Sequence, residues 1–173
     1  MVVDGSFCLF QCGSQPFAVA LASVAEIAEV ETLVRVGLCP PLIAGLCPFH
    51  RQVVPVVTIG RDPSRTAPLS PEQCGFAGIS KEIVLILQTG QGNWGILIDR
   101  EGTGISTQRP SQLDVKDERD GVVTEGQIDH QGVAYALLDP ESTWRGLRAR
   151  VVKWYAQLNE SNGASFANDL AAV

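Results

Sequence analysis

A chain of 173 residues, 45% apolar and 18% charged, is long enough to bury a sizeable core and has the make-up of one compact domain. Its net charge of −6 is the wrong sign for a protein that grips nucleic-acid phosphates with clustered Lys and Arg. No apolar run is long enough to span a membrane, and Met1-Val2-Val3-Asp4 lacks the basic start of a signal peptide, so a cytoplasmic protein is expected, without nucleic acid and without membrane insertion.

Phe7–Cys12 and Pro16–Leu21 read as two strands joined by the turn Gly13-Ser14-Gln15. Ser23-Val24-Ala25-Glu26 fits a capping box, which predicts a short helix over Ser23–Glu29 with Glu26 as its cap. Residues Val30–Cys39 should run extended. The five cysteines include no Cys-x-x-Cys. Cys8 and Cys12 share a strand face roughly 13 Å apart, too far for a disulfide, and all five are expected to be reduced, mostly buried thiols.

Within Pro40–Ile59, two apolar runs, Leu42–Cys47 and Val53–Ile59, flank Pro48-Phe49-His50-Arg51-Gln52 and predict a hairpin with a basic tip. Gly45 marks a bend or a close backbone approach. Pro55, which cannot donate to a ladder, marks an edge, a bulge or a bend. Gly60–Ser80, with its prolines, serines and glycines, reads as a surface connection that holds one helical turn at Ser70–Gln73 and divides the chain into two halves of similar style. Glu82–Gln88 has the continuous apolar pattern of a strand buried on both faces, and Trp94–Asp99 returns beside it. Gln108–Glu125, mixed in charge, reads as a solvated loop.

Asp139-Pro140 opens a helix with an N-cap and a proline in its first turn. Trp144, Leu147, Val151, Trp154, Tyr155 and Leu158 form its apolar stripe, and Arg145, Arg148, Arg150 and Lys153 its basic face. That face is either solvated on a packed helix or a docking surface for an acidic partner or membrane. After Asn159 the composition becomes Ser, Asn, Gly and Ala, which predicts a flexible tail over 159–173.

The pattern offers no chemistry. Two histidines without Cys-x-x-Cys make no zinc site, no glycine-rich phosphate loop or nucleophile elbow is present, and Asp99 has no partner carboxylate at a suggestive spacing. A non-enzymatic protein is expected, with no catalytic residues, no metal and no cofactor.

The stretch Pro40–Ile59 resembles the CheW-like domain, the adaptor of bacterial chemotaxis arrays. Its hallmark is close to Pro-x-x-(Val/Ile)-x-Gly-(Val/Ile)-x-Asn-Leu-Arg-Gly followed by Val-x-Pro-(Val/Ile)-(Val/Ile)-Asp-Leu. Pro40, Ile43, Gly45 and Leu46 match the first half, and Val53, Pro55, Val56, Val57 and Ile59 the second. The centre departs, with Pro48, Phe49, His50 and Arg51 where the family has Asn, Leu, Arg and Gly, and with Thr58 where it has Asp. Val24, Glu26 and Ile27, the segment Trp94–Asp99, and a closing hairpin over Ile128–Val133 and Ala134–Asp139 are similar to further family segments. His130 falls in that last turn and is expected to be exposed and incidental.

The resemblance implies a mainly β fold of two packed five-stranded SH3-like barrel lobes with short helices and a C-terminal helix. One such domain is expected over 1–158, its lobes divided near the 60–80 connection that composition marks. The resemblance further implies a chemotaxis-type signalling adaptor that couples a chemoreceptor cytoplasmic tip to a CheA-like histidine kinase through the kinase's regulatory domain. The implied contact residues are Ile43, Gly45, Leu46, Phe49, His50 and Arg51, with Phe49 as apolar anchor and Arg51 as hydrogen-bonding group. The alternative is a diverged regulatory or small-molecule-binding barrel in another pathway, such as pilus-type motility.

Overall fold

The computed structural model describes residues 5–31, 33–35, 39–60, 81–111 and 116–170, with side chains as far as Asn159. The expected connection after Gly60, its helical turn at Ser70–Gln73 and Cys74 lie outside the described residues. The described strands are β1 (Phe7–Cys12), β2 (Gln15–Ala20), β3 (Val24–Val30), β4 (Ile43–Phe49), β5 (Gln52–Val57), β6 (Glu82–Thr89), β7 (Gly92–Ile98), β8 (Gly104–Ser106), β9 (Asp117–Arg119), β10 (Val122–His130) and β11 (Val133–Leu138), followed by helix α1 (Pro140–Leu170).

They form two sheets, a six-stranded one in the order β8-β1-β2-β11-β10-β9 and a five-stranded one in the order β3-β6-β7-β5-β4. The fold is mainly β with two lobes, as expected, but one lobe has six strands. The lobes also do not divide at 60–80. The chain enters the five-stranded lobe at Val24 and leaves it at Ile98, so β5 and β6, on either side of that connection, are strands of one sheet, and this lobe is inserted between β2 and β8 of the other.

Strand alternation explains why the lobes stay together. On β6, Val84 and Ile86 point into the five-stranded lobe beside Cys47, Val54 and Val56, whereas Leu85 and Leu87 join Phe10, Phe17, Trp94 and Ile96 in a core shared by both lobes. On β1, Phe7 and Leu9 fill the six-stranded lobe, and Cys8 and Cys12 face the shared core. Both strands are buried on two faces, and each serves two cores.

Helix α1 fixes this arrangement. The Asp139 carboxylate accepts a 3.0 Å hydrogen bond from the Ser142 N–H, the expected N-cap. Thr143 and Leu147 are buried, with the Thr143 hydroxyl bonded to both backbone groups of Val123 on β10, while the Trp144 ring stacks 5.5 Å from Trp94 on β7. One helical turn therefore touches both lobes. The helix continues to Leu170, past the predicted end near Leu158.

Three local expectations fail. Leu21–Ser23 is a single 3-10 turn without a side-chain cap, and Val24–Val30 is a strand, because β-branched Val24, Ile27 and Val30 pair antiparallel with β6 and tertiary pairing outweighs the capping pattern. In the charged stretch, Asp117–Arg119 forms an exposed edge strand joined to β10 by an Asp120-Gly121 turn with both φ positive. His130 is half-buried at the end of β10, its ring edge-on to Tyr135, rather than exposed.

Gly45 is the tight point of the five-stranded lobe. A Cβ there would lie 2.8 Å from the Val34 carbonyl oxygen, which is backbone and cannot yield cheaply. Gly45→Ala is expected to lower unfolding stability by about 1–3 kcal/mol in a denaturant titration. Gly90→Ala, whose Cβ would meet nothing nearer than 3.7 Å, should stay within about 0.5 kcal/mol of the parent.

Asp139 gives a second test. Burial alone would raise its pKa, but hydrogen bonds from Ser142 and the nearby Lys116 ammonium outweigh it and hold the carboxyl below its ordinary value. A lowered folded-state pKa means stability that is present above the ordinary aspartate range, about 4, and lost as the pH falls through it. Asp139→Ala should cost about 1 kcal/mol at neutral pH, and the difference from the parent should shrink as the pH falls below that range.

Candidate functional site

The hairpin β4–β5 carries the predicted contact residues, and its register sorts them. Leu46 pairs with Pro55 and Pro48 with Val53, on one face; Cys47 pairs with Val54 and Gly45 with Val56, on the other. Cys47, Val54 and Val56 are buried in the five-stranded lobe. Leu46, Pro48, Val53 and Pro55 therefore face outward, and Val53 is 68% exposed. Val34 joins them through an antiparallel bridge to Leu46 and is 59% exposed. The result is a contiguous apolar face across three strand segments.

Of the predicted residues, the structure brings Leu46, His50 and Arg51 to the surface of this hairpin. Phe49 is half-buried and packs against the core of its own lobe, Ile43 packs against the shared core, and Gly45 is buried where the chain passes Val34. The sequence list missed Val34, Pro48, Val53 and Pro55. The period-two alternation from Cys47 and Val54 was the signal that could have found Pro48, Val53 and Pro55; Val34 joins through a long-range bridge to Leu46 that no local pattern marks.

The tip is a two-residue turn, with Phe49 paired to Gln52. His50 and Arg51 both have positive φ, 42° and 66°. This is the geometry of a type I′ turn, which favours Asn-Gly and suits the right-handed strand twist. The turns at Asp120-Gly121 and Gln131-Gly132 have glycine in the second place; this one has no glycine. Its imidazole lies between two partners. The Phe49 ring is edge-on at 4.3 Å, and His50 Nε2 is 3.3 Å from Glu26 Oε2 on β3. Glu26 is thus no helix cap but the strand residue that faces the tip.

Away from this face, an open groove of ≈ 1160 Å³ runs between the six-stranded sheet, Pro40–Leu42 and α1, with Phe17, Ala136, Arg150 and Trp154 among its walls. Of its rim charges, Arg119 pairs with Asp117 and Arg150 with Asp120. Among the described residues, no three His, Cys, Asp or Glu side chains cluster to hold a metal ion, and no helix is long and apolar enough to cross a membrane.

The family model for the CheW-like domain matches residues 6–145. No curated protein matches the sequence. Among solved structures, the scaffolding protein TtCheW of Thermoanaerobacter tengcongensis is similar, with a TM-score of 0.54 and 10% identity, over 83% of this chain and 89% of its own. At that identity the likeness is one of fold.

The division between core and face is open to measurement. Phe49→Ala should lower the unfolding midpoint by removing packing atoms, whereas Val53→Ser, on the exposed face, should change stability by no more than about 0.5 kcal/mol.

Proposed function

The chain belongs to the CheW-like domain family, and from that premise we propose that it is a non-enzymatic scaffold of the chemotaxis type. It couples receptors to a CheA-like histidine kinase through protein contacts, and the β4–β5 face binds the kinase's regulatory domain. The observation that supports this most is the outward set Val34, Leu46, Pro48, Val53 and Pro55. The hairpin, with Val34 bridged to it, turns these apolar side chains outward, Val34, Pro48 and Val53 exposed and Leu46 and Pro55 half-buried, while its other face is buried, and contiguous exposed apolar surface marks an interaction site.

The rewritten tip changes the chemistry at the edge of that face. His50 cannot supply a guanidinium's fixed fork of donors, which leaves Arg51, exposed beside it, as the hydrogen-bonding cation. Phe49 acts from below, keeping the turn seated on the lobe. A partner therefore meets an apolar floor and one cation at its end.

Calorimetric titration against the regulatory domain of the chemotaxis-type kinase from the same organism tests this reading. Micromolar binding is expected. Val53→Asp should weaken it at least tenfold, about 1.4 kcal/mol, and Arg51→Ala by less. No binding by the parent protein, or equal binding by Val53→Asp, would overturn it.

A further inference from the structure

The groove beside α1 lies apart from the β4–β5 face, and strand register sets its floor. Ala136 of β11 stands between Phe17 of β2 and Gln127 of β10. Ala134, two residues back on the same face of β11, is exposed. Two methyl groups in line make a shallow, flat bed, bounded by the Phe17 and Trp154 rings and by Leu42. The wall formed by α1 is tied down at two places. At one, Tyr155 Oη lies 3.8 Å from Cys39 Sγ, next to Pro40. At the other, the Asp120-Gly121 turn sits on Gly146, where a Cβ would come within 2.8 Å of the Gly121 carbonyl oxygen, and Arg150 holds Asp120 by both its backbone carbonyl and its carboxylate. Glycine is a poor helix former; at this position it lets the hairpin turn close on the helix. The groove is therefore preformed, and its ≈ 1160 Å³ is ample for a small molecule, whose clefts run to about 1,000 Å³.

The charges along it do not cancel. Asp117, Arg119, Asp120, Arg150 and Lys153 all line the groove, and the two carboxylates are taken by the two arginines. Lys153, exposed one residue before Trp154, keeps a single positive charge without a carboxylate partner among the described residues. We propose that this groove is a binding site for a small apolar anion, a flat aromatic body that carries one carboxylate or sulfonate. Its ring system lies on Ala134 and Ala136, where the neighbouring Phe17 and Trp154 rings favour an aromatic body, and its acid group meets the Lys153 ammonium. The site is independent of the docking reading above.

The test is a fluorescence titration of the full chain with anilinonaphthalene sulfonate, an aromatic anion of this class. Saturable one-to-one binding is expected, at a Kd of about 10–100 μM for a ligand of that size. Ala134→Trp, which fills the bed from an exposed position, should abolish it, and Lys153→Glu should weaken it at least about tenfold. Arg145→Ala, which removes an exposed cation of α1 outside the groove, should leave it unchanged. The uncharged N-phenylnaphthylamine should bind more weakly and respond to Ala134→Trp but not to Lys153→Glu. Unfolding midpoints equal to the parent's check that each variant is folded. No saturable binding by the parent, or parent-like binding by both Ala134→Trp and Lys153→Glu, would overturn the inference. So would loss of the signal in Val53→Asp alone, which would place the probe on the β4–β5 face instead.

Discussion

The five-stranded lobe depends on one close approach. Its edges, β3 and β4, would each expose a row of unpaired backbone groups. The chain after β3 turns back, and Val34 exchanges hydrogen bonds with Leu46, 2.9 Å from the Val34 N–H to the Leu46 carbonyl and 2.8 Å in the other direction. That pairing brings the Val34 carbonyl so close to Gly45 that no side chain fits there. A glycine at this place is what lets an open sheet close.

Closure alone would leave two lobes on a flexible joint. The shared core prevents it, because β1 and β6 each give alternate residues to their own lobe and to the common layer. Since the five-stranded lobe is inserted into the other, the chain must also cross between them twice. The second crossing is pinned where the Asp99 N–H donates to the Gln11 carbonyl at 2.8 Å. Above it, Glu141 accepts bonds of 2.9 Å from the Gly90 N–H and from the Gln91 side chain, so α1 also clasps the β6–β7 turn. The proposed docking face on β4–β5 thus has a backing that is continuous with the rest of the molecule.

Much of this was legible from residue pattern. The hairpins β1–β2, β4–β5 and β6–β7 and the Asp139 cap follow from alternation, turn residues and capping chemistry, and of the two readings of Gly45, a bend or a close backbone approach, the structure has the close approach to Val34. What failed did so where local signals compete with partners far away in sequence. Ser23-Val24-Ala25-Glu26 carries a helix-start signature, but β6 offered a ladder that no local window reveals. The division of lobes at 60–80 was inferred from composition, whereas lobe membership is set by strand pairing, and β6 pairs with β3 and β7. The Asp120-Gly121 turn was a usable hairpin signal hidden in a charged stretch.

The contact residues show the same limit at finer scale, because a family motif names positions without naming faces. Between Ile43 and Gly45 the register shifts by one residue, leaving Ala44 as a bulge against β5. Were Ala44 paired and the register of Ile43 with Val57 continued unbroken, Gly45 would stand opposite Pro55, Leu46 opposite Val54 and Cys47 opposite Val53, and the β4 side chains would exchange faces. With it, Cys47 goes inward, while Leu46 and Pro48 go outward with Pro55 and Val53. Phe49, which the motif marks as an anchor, falls on the inward parity and holds the turn from beneath. A single inserted residue beside the glycine that closes the lobe therefore decides which side chains of β4 face solvent.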